Sequence, residues 1–146
     1  MSLAVAEKEL NSLGVPFAKE RQGFLLRTIS PRTSNTYHIF ITEDVEERVK
    51  LTSQFCPSQN TIERSEQLCQ EMNKSMDGVA LHYSEPQKIF YVCSSIPSRS
   101  LAKNVHHFLV ACDFVFPLCD RVSKTGVWDA NLAYLARCST ERIARA

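Results

Sequence analysis

Between Asn104 and Val122 the chain reads NVHHFLVACDFVFPLCDRV. Projected at about 100° per residue, the helix around residues 101–122 gathers Leu101, Val105, Phe108, Leu109, Cys112, Val115, Phe116, Cys119 and Val122 into one broad apolar sector. A second arc holds Ala111, Phe114 and Leu118, with His107 beside it. Lys103, His106, Asp113, Asp120 and Arg121 share the strip that remains. A helix this apolar must be covered on more than one side. A sheet can take the broad sector, and the second arc then requires either the C-terminal helix or a second subunit. Pro117 removes the amide that would bond the Asp113 carbonyl, so a kink is expected there.

The same segment is rich in reactive side chains, yet its geometry disperses them. Cys112 and Cys119 are seven residues apart, about 10.5 Å along a straight helix, whereas a disulfide needs Cα atoms roughly 4.4–6.8 Å apart. Zinc ligands must converge on one point, while His107 and the two cysteines leave the helix in different directions. Volume rather than reactivity explains these residues. The six cysteines are spread singly through apolar segments with no CxxC, so they read as free, buried thiols and not as a disulfide framework. No metal or cofactor site is expected, and no catalytic residue is assigned.

Elsewhere the periodicities alternate between helix and strand. Leu3, Ala6, Leu10 and Leu13 fall at helical spacing, and Gly14 follows as a stop. A long strand region runs through FLLRTIS, with Gln22-Gly23 as a turn or bulge inside it. TYHIFIT alternates Tyr37, Ile39 and Ile41 against Thr36, His38, Phe40 and Thr42, a clear strand signal. Residues 44–56 fit either a helix capped at Asp44 or a turn over Glu43–Glu47 followed by a strand; the second is preferred. Asn60 resembles a helix cap, Ile62, Cys69, Met72 and Met76 mark one helical face, and Gly78 ends it. VALHYS and KIFYVCS read as a hairpin. Ser98 or Ser100 caps the long helix, and a last helix carries Trp128, Leu132, Leu135 and Ile143 on one side. The expected architecture is a single α+β domain over 1–146 in the order α-βββ-α-ββ-α-α. An antiparallel five-stranded sheet packs against helices, and 127–146 forms a C-terminal helical extension of the same domain.

Composition narrows the function classes. Hydrophobic residues make up 44% and charged residues 23%, with a net charge of +1, which is globular usage without the basic excess of a nucleic-acid binder. No run approaches the roughly twenty apolar residues of a membrane helix, and no signal peptide is visible, so a cytoplasmic protein with no membrane or nucleic-acid partner is expected. KIFYVCSSIP resembles one RNA-recognition strand motif, but SKTGVWDANLAYLA lacks the second. P-loop, GxGxxG, GxSxG and HExxH patterns are missing. A Cys93–His82 dyad across the hairpin keeps a thiol-dependent enzyme or ligand binder as the alternative.

The leading LNSLGVPF, the meander through TYHIFIT and VKLTSQF, the run to KIFYVCSSIP and the helix HHFLVACDFVFPLCDRV together resemble the YbjN family, over roughly residues 5–125. Domains of that family are similar in fold to type III secretion chaperones. The cysteine content and the added helix from Trp128 onward depart from the pattern. The resemblance implies a non-enzymatic, chaperone-like or regulatory module, often a homodimer, that binds proteins. The surplus apolar arc gives the expected partner interface: His107, Phe114, Leu118 and Trp128. The partly apolar second sheet face, with Phe40 and Tyr91, adds to it.

Overall fold

The protein, seen in a computed structural model, is described over residues 2–144. Helix α1 (Ser2–Leu13) leads into four strands, β1 (Phe17–Glu20), β2 (Gly23–Ile29), β3 (Thr36–Glu43) and β4 (Arg48–Phe55). Two short helices follow, α2 (Gln59–Glu63) and α3 (Ser65–Ser75), then the hairpin β5 (Ala80–Ser84) and β6 (Ile89–Pro97). A single 3-10 turn, Ser98–Ser100, delivers the chain into α4 (Leu101–Thr125), and α5 (Ala130–Ala144) completes the described chain. All neighbouring strands pair antiparallel in one six-stranded sheet of order β1-β2-β3-β4-β6-β5.

The sheet therefore has six strands and not the expected five. The turn or bulge expected at Gln22-Gly23 is a turn, one residue earlier, and it closes a complete hairpin in which Glu20 pairs with Gly23 across Arg21-Gln22. Gly23 is there for closeness: a Cβ at this position would lie 1.9 Å from the Ile41 carbonyl oxygen of β3. A side chain would push β2 off its neighbour at the first rung. The expected single helix before the second hairpin is also two, because the chain breaks at Arg64. Ser58, not Asn60, caps α2, its hydroxyl accepting from the Thr61 amide.

Alternation in the strands sends Leu26, Ile39, Ile41, Val49, Leu51, Phe90, Val92 and Ile96 inward, all buried. Helix α4 lies over β4 and β6, α1 beside it over β3 and β4, and α3 along β5. Helix α5 packs on α4 and α3. The helices that lie on the sheet, α1, α3 and α4, thus share one face of it, with α2 and α5 packed on them, as an antiparallel sheet permits. Helix α4 runs unbroken through Pro117. Its first turn is capped from a distance: the Glu9 carboxylate of α1 accepts from the Ala102 amide at 3.2 Å, placing negative charge at a helix N-terminus. Neither Ser98 nor Ser100 supplies a side-chain cap. No helix among the described residues is long and apolar enough to cross a membrane.

The edge at β5 is closed by a side chain. Asn73 of α3 accepts from the Leu81 amide at 2.7 Å and donates to the Leu81 carbonyl at 2.9 Å, doing what a seventh strand would do. The β3–β4 turn is less comfortable. Glu46 and Glu47 have φ of 46° and 61°, the left-handed region that a two-residue hairpin turn demands and that Asn-Gly occupies with least strain. The turn is held from outside, where the Glu47 carbonyl accepts from both the amide and the hydroxyl of Ser98. Replacing the pair by Glu46→Asn/Glu47→Gly is expected to stabilise the fold by about 1–2 kcal/mol. Thermal or urea unfolding checks it; unchanged stability would mean that the turn is not strained.

Candidate binding surfaces

The reactive residues of α4 are mostly interior. Cys112 and Cys119 are fully buried, and burial pushes both thiols well above the ordinary thiol range. The Cys119 thiol donates to the Met72 sulfur at 3.5 Å. Asp113, placed by periodicity on the polar strip, is instead only 5% exposed. Its carboxylate accepts three hydroxyls from the β2–β3 loop and β3. Thr33 donates to Oδ1 at 2.9 Å, Tyr37 donates to Oδ1 at 2.5 Å, and Ser30 donates to Oδ2. Burial first, and then the bond to Asp113, raise the Tyr37 phenol far above its usual value. The Ser30 hydroxyl meanwhile accepts from the Arg32 and Thr33 amides at 3.2 and 3.4 Å. This is a staple between a loop and a helix.

The four residues expected at an interface part company. Leu118 is 6% exposed, covered by its own chain, as is Ala111. Trp128 is half-buried in the loop before α5 and not on the helix. Asp129 caps α5, accepting from the Leu132 amide at 3.0 Å. The inward face of that helix is Leu132, Ala136, Thr140 and Ile143, while Leu135 turns out. The second arc of α4 is therefore largely covered by α5. What remains is a groove of about 310 Å³ between the two helices, in which half-buried His107 and Phe114 meet Val110, Leu135, Cys138 and Arg142. Arg32 lies over the Phe114 ring at 4.4 Å. Burial, and then the neighbouring His106, Arg142 and Lys103, lower the His107 pKa.

Among the described residues no helix packs on the other face of the sheet. Strand register aligns Ala18, Leu25, Phe40, Thr52, Cys93 and Ala80 in one row across all six strands. Phe40 is 37% exposed at its centre. Polar residues flank it: Glu20, Thr42, Lys50 and Ser95 on one side, and the pairs Arg27–His38 and Gln54–Tyr91 on the other. His82 and Cys93, the candidate dyad, lie on this same face and border one shallow depression of about 430 Å³. They are diagonal neighbours, since His82 opposes Tyr91 and Cys93 opposes Ala80. Cys93 is 9% exposed, and its sulfur accepts from the Thr52 hydroxyl at 3.8 Å. Among the described residues no hydrogen bond joins it to His82, and no three of His, Cys, Asp or Glu come together to hold a metal ion.

Comparison with protein-family models, with curated proteins and with solved structures finds no match for this chain. The reading of the site rests on its geometry. Sequence periodicity alone could not supply the register that places these six side chains in one row.

Two outcomes test the interior chemistry. Asp113→Asn should destabilise by about 1–3 kcal/mol, because an amide cannot accept all three hydroxyls; an unfolding midpoint equal to wild type would remove the staple from the account. With a thiol reagent at neutral pH, the exposed Cys56 and Cys138 should react first, with Cys112 and Cys119 reacting only on unfolding. The raised thiols and phenol also fix a pH dependence. The unfolded chain releases these protons first, so the stability they contribute is complete below the ordinary thiol and phenol values of about 9 and 10 and is lost above them. A melting temperature that holds level through pH 9–11 would contradict it.

Proposed function

We propose that this chain is a non-enzymatic protein-interaction module, chaperone-like or regulatory, working in the cytoplasm. Its contact surface is the open face of the sheet, with the α4–α5 groove as a secondary feature. One observation carries the reading: a continuous row from Ala18 to Ala80, with Leu25 and Phe40 in it, crosses a sheet face that no helix among the described residues covers. Apolar surface left in a contiguous patch with a polar border marks a partner site more often than scattered apolar residues do. The resemblance to the YbjN family points the same way. Six free cysteines suit a reducing compartment.

The thiol-dependent alternative retains one favourable fact, the shared face of Cys93 and His82. Against it stands the missing hydrogen bond between them, since a nucleophile needs its base within reach. Affinity capture from the native host tests the favoured reading. The tagged wild type should retain a specific protein, Phe40→Asp should lose it, and Cys93→Ala should keep it. Retention by Phe40→Asp would move the contact surface off the sheet, and loss with Cys93→Ala alone would favour the thiol chemistry.

A further inference from the structure

The groove between α4 and α5 is cationic at one end and apolar at the other, and we infer that it binds a small amphipathic anion, a carboxylate carried on a short apolar chain. This goes beyond the reading of the sheet face and does not depend on it.

The two helices build the groove from matching stripes. His107, Val110 and Phe114 line it from α4, and Leu135, Cys138 and Arg142 line it from α5. Both sets step by three and then four residues, so each occupies one helical face. Residues 126–129 alone join the helices, and so short a connection makes them antiparallel neighbours. The register that brings Arg142 near His107 therefore brings Leu135, seven residues earlier, level with Phe114, seven residues later. Helix pairing thus sorts the groove by chemistry. Arg142, His107 and His106 stand at one end, with Lys103 a turn away, and Phe114 and Leu135 stand at the other.

The cations have no partner in the chain. Among the described residues Lys103, His106, His107 and Arg142 take part in no ion pair. Glu141 is the one acid lining the groove, and it too makes none. An anion seated at that end would relieve the repulsion among the four. A cationic ligand would meet them there and Arg32 at the other end, where its guanidinium lies over the Phe114 ring at 4.4 Å. The planar fork of Arg142 fits a carboxylate through two parallel hydrogen bonds. Seven helical residues at about 1.5 Å each set about 10 Å between the cationic and apolar ends. The volume of about 310 Å³ is at the small end of the roughly 300–1,000 Å³ typical of ligand sites. Octanoate is a probe of that size, its chain against Val110, Phe114 and Leu135 and its carboxylate between His107 and Arg142.

Binding should also take up a proton. Burial, and then His106, Arg142 and Lys103, hold the His107 ring towards its neutral form, and a bound carboxylate favours the charged one. The groups facing His107 are Lys103 and His106 on its own helix and Arg142 across the groove, with Glu141 and Cys138 in the same lining. Affinity for the anion accordingly rises as the pH falls from about 8 to about 6.

Calorimetric titration of the full chain with octanoate at about pH 6.5 should give one site with a Kd on the order of 100 μM. Octanamide, the same chain without the charge, should bind about tenfold more weakly or worse. Arg142→Gln should weaken octanoate about tenfold, and Leu135→Gln several-fold. Both side chains are exposed, and melting temperatures check that the variants fold. His107→Gln should flatten the pH dependence, whereas Arg27→Gln, on the open sheet face, should bind as wild type does. No binding at millimolar octanoate, equal affinity for octanoate and octanamide, or wild-type affinity in both Arg142→Gln and Leu135→Gln overturns the proposal. So does a loss of binding in Arg27→Gln that matches the loss in Arg142→Gln, which would place the ligand outside the groove.

Discussion

Helix α4 is apolar over most of its circumference, and that need for cover organises the molecule. Its broad sector takes the inner face of the sheet over β4 and β6, α1 closes one flank, and α5 closes the arc of Ala111 and Leu118. Phe108, fully buried within this assembly, is the kind of side chain whose truncation costs about 3–5 kcal/mol. Once the helices are committed to this one layer, none among the described residues is left for the opposite face of the sheet. The open face is thus a consequence of how the long helix is satisfied.

Hydrogen bonds then fix the layers laterally. Asp113 ties the β2–β3 loop to the middle of α4, Glu9 ties α1 to its first turn, and Ser98 ties the strained β3–β4 turn to the turn preceding it. In each case a group from one layer answers an orphaned donor or acceptor in another. These contacts specify the sliding position of sheet against helix, which apolar packing, being non-directional, leaves loose.

Much of this layout was legible in the chain. The alternation Tyr37, Ile39, Ile41 gave β3 its inward face, the choice of a turn followed by a strand over 44–56 matches β4, and the last hairpin lies where its pattern placed it. What escaped was non-local. Asp113 looked solvent-facing because its three donors lie 76 to 83 residues away, and helical periodicity sees only neighbours. The β1–β2 hairpin was read only as a turn or bulge within one long strand region, because its turn, Arg21-Gln22, carries no turn-forming residue, while the adjacent Gly23 serves close approach to β3. Trp128 was assigned to a helix that Asp129 actually starts. The row on the outer face was hidden for the same reason: its six members come from six strands, and only register makes them neighbours.

The two kinds of sheet surface are also treated differently. At the edges association is blocked: β1 is four residues long, and Asn73 occupies the backbone groups of Leu81 that another chain would use. Such devices are how sheets avoid strand addition. On the open face there is no matching defence at the centre. The charges Arg27 and Lys50 stand in the flanking rows, and Phe40, Leu25 and Cys93 are left between them. A face meant only for water would gain from a lysine or glutamate in that row at little cost to strand stability. Its absence, beside edges that are closed, restricts the contacts open to the sheet to packing on its face and not pairing at its rim.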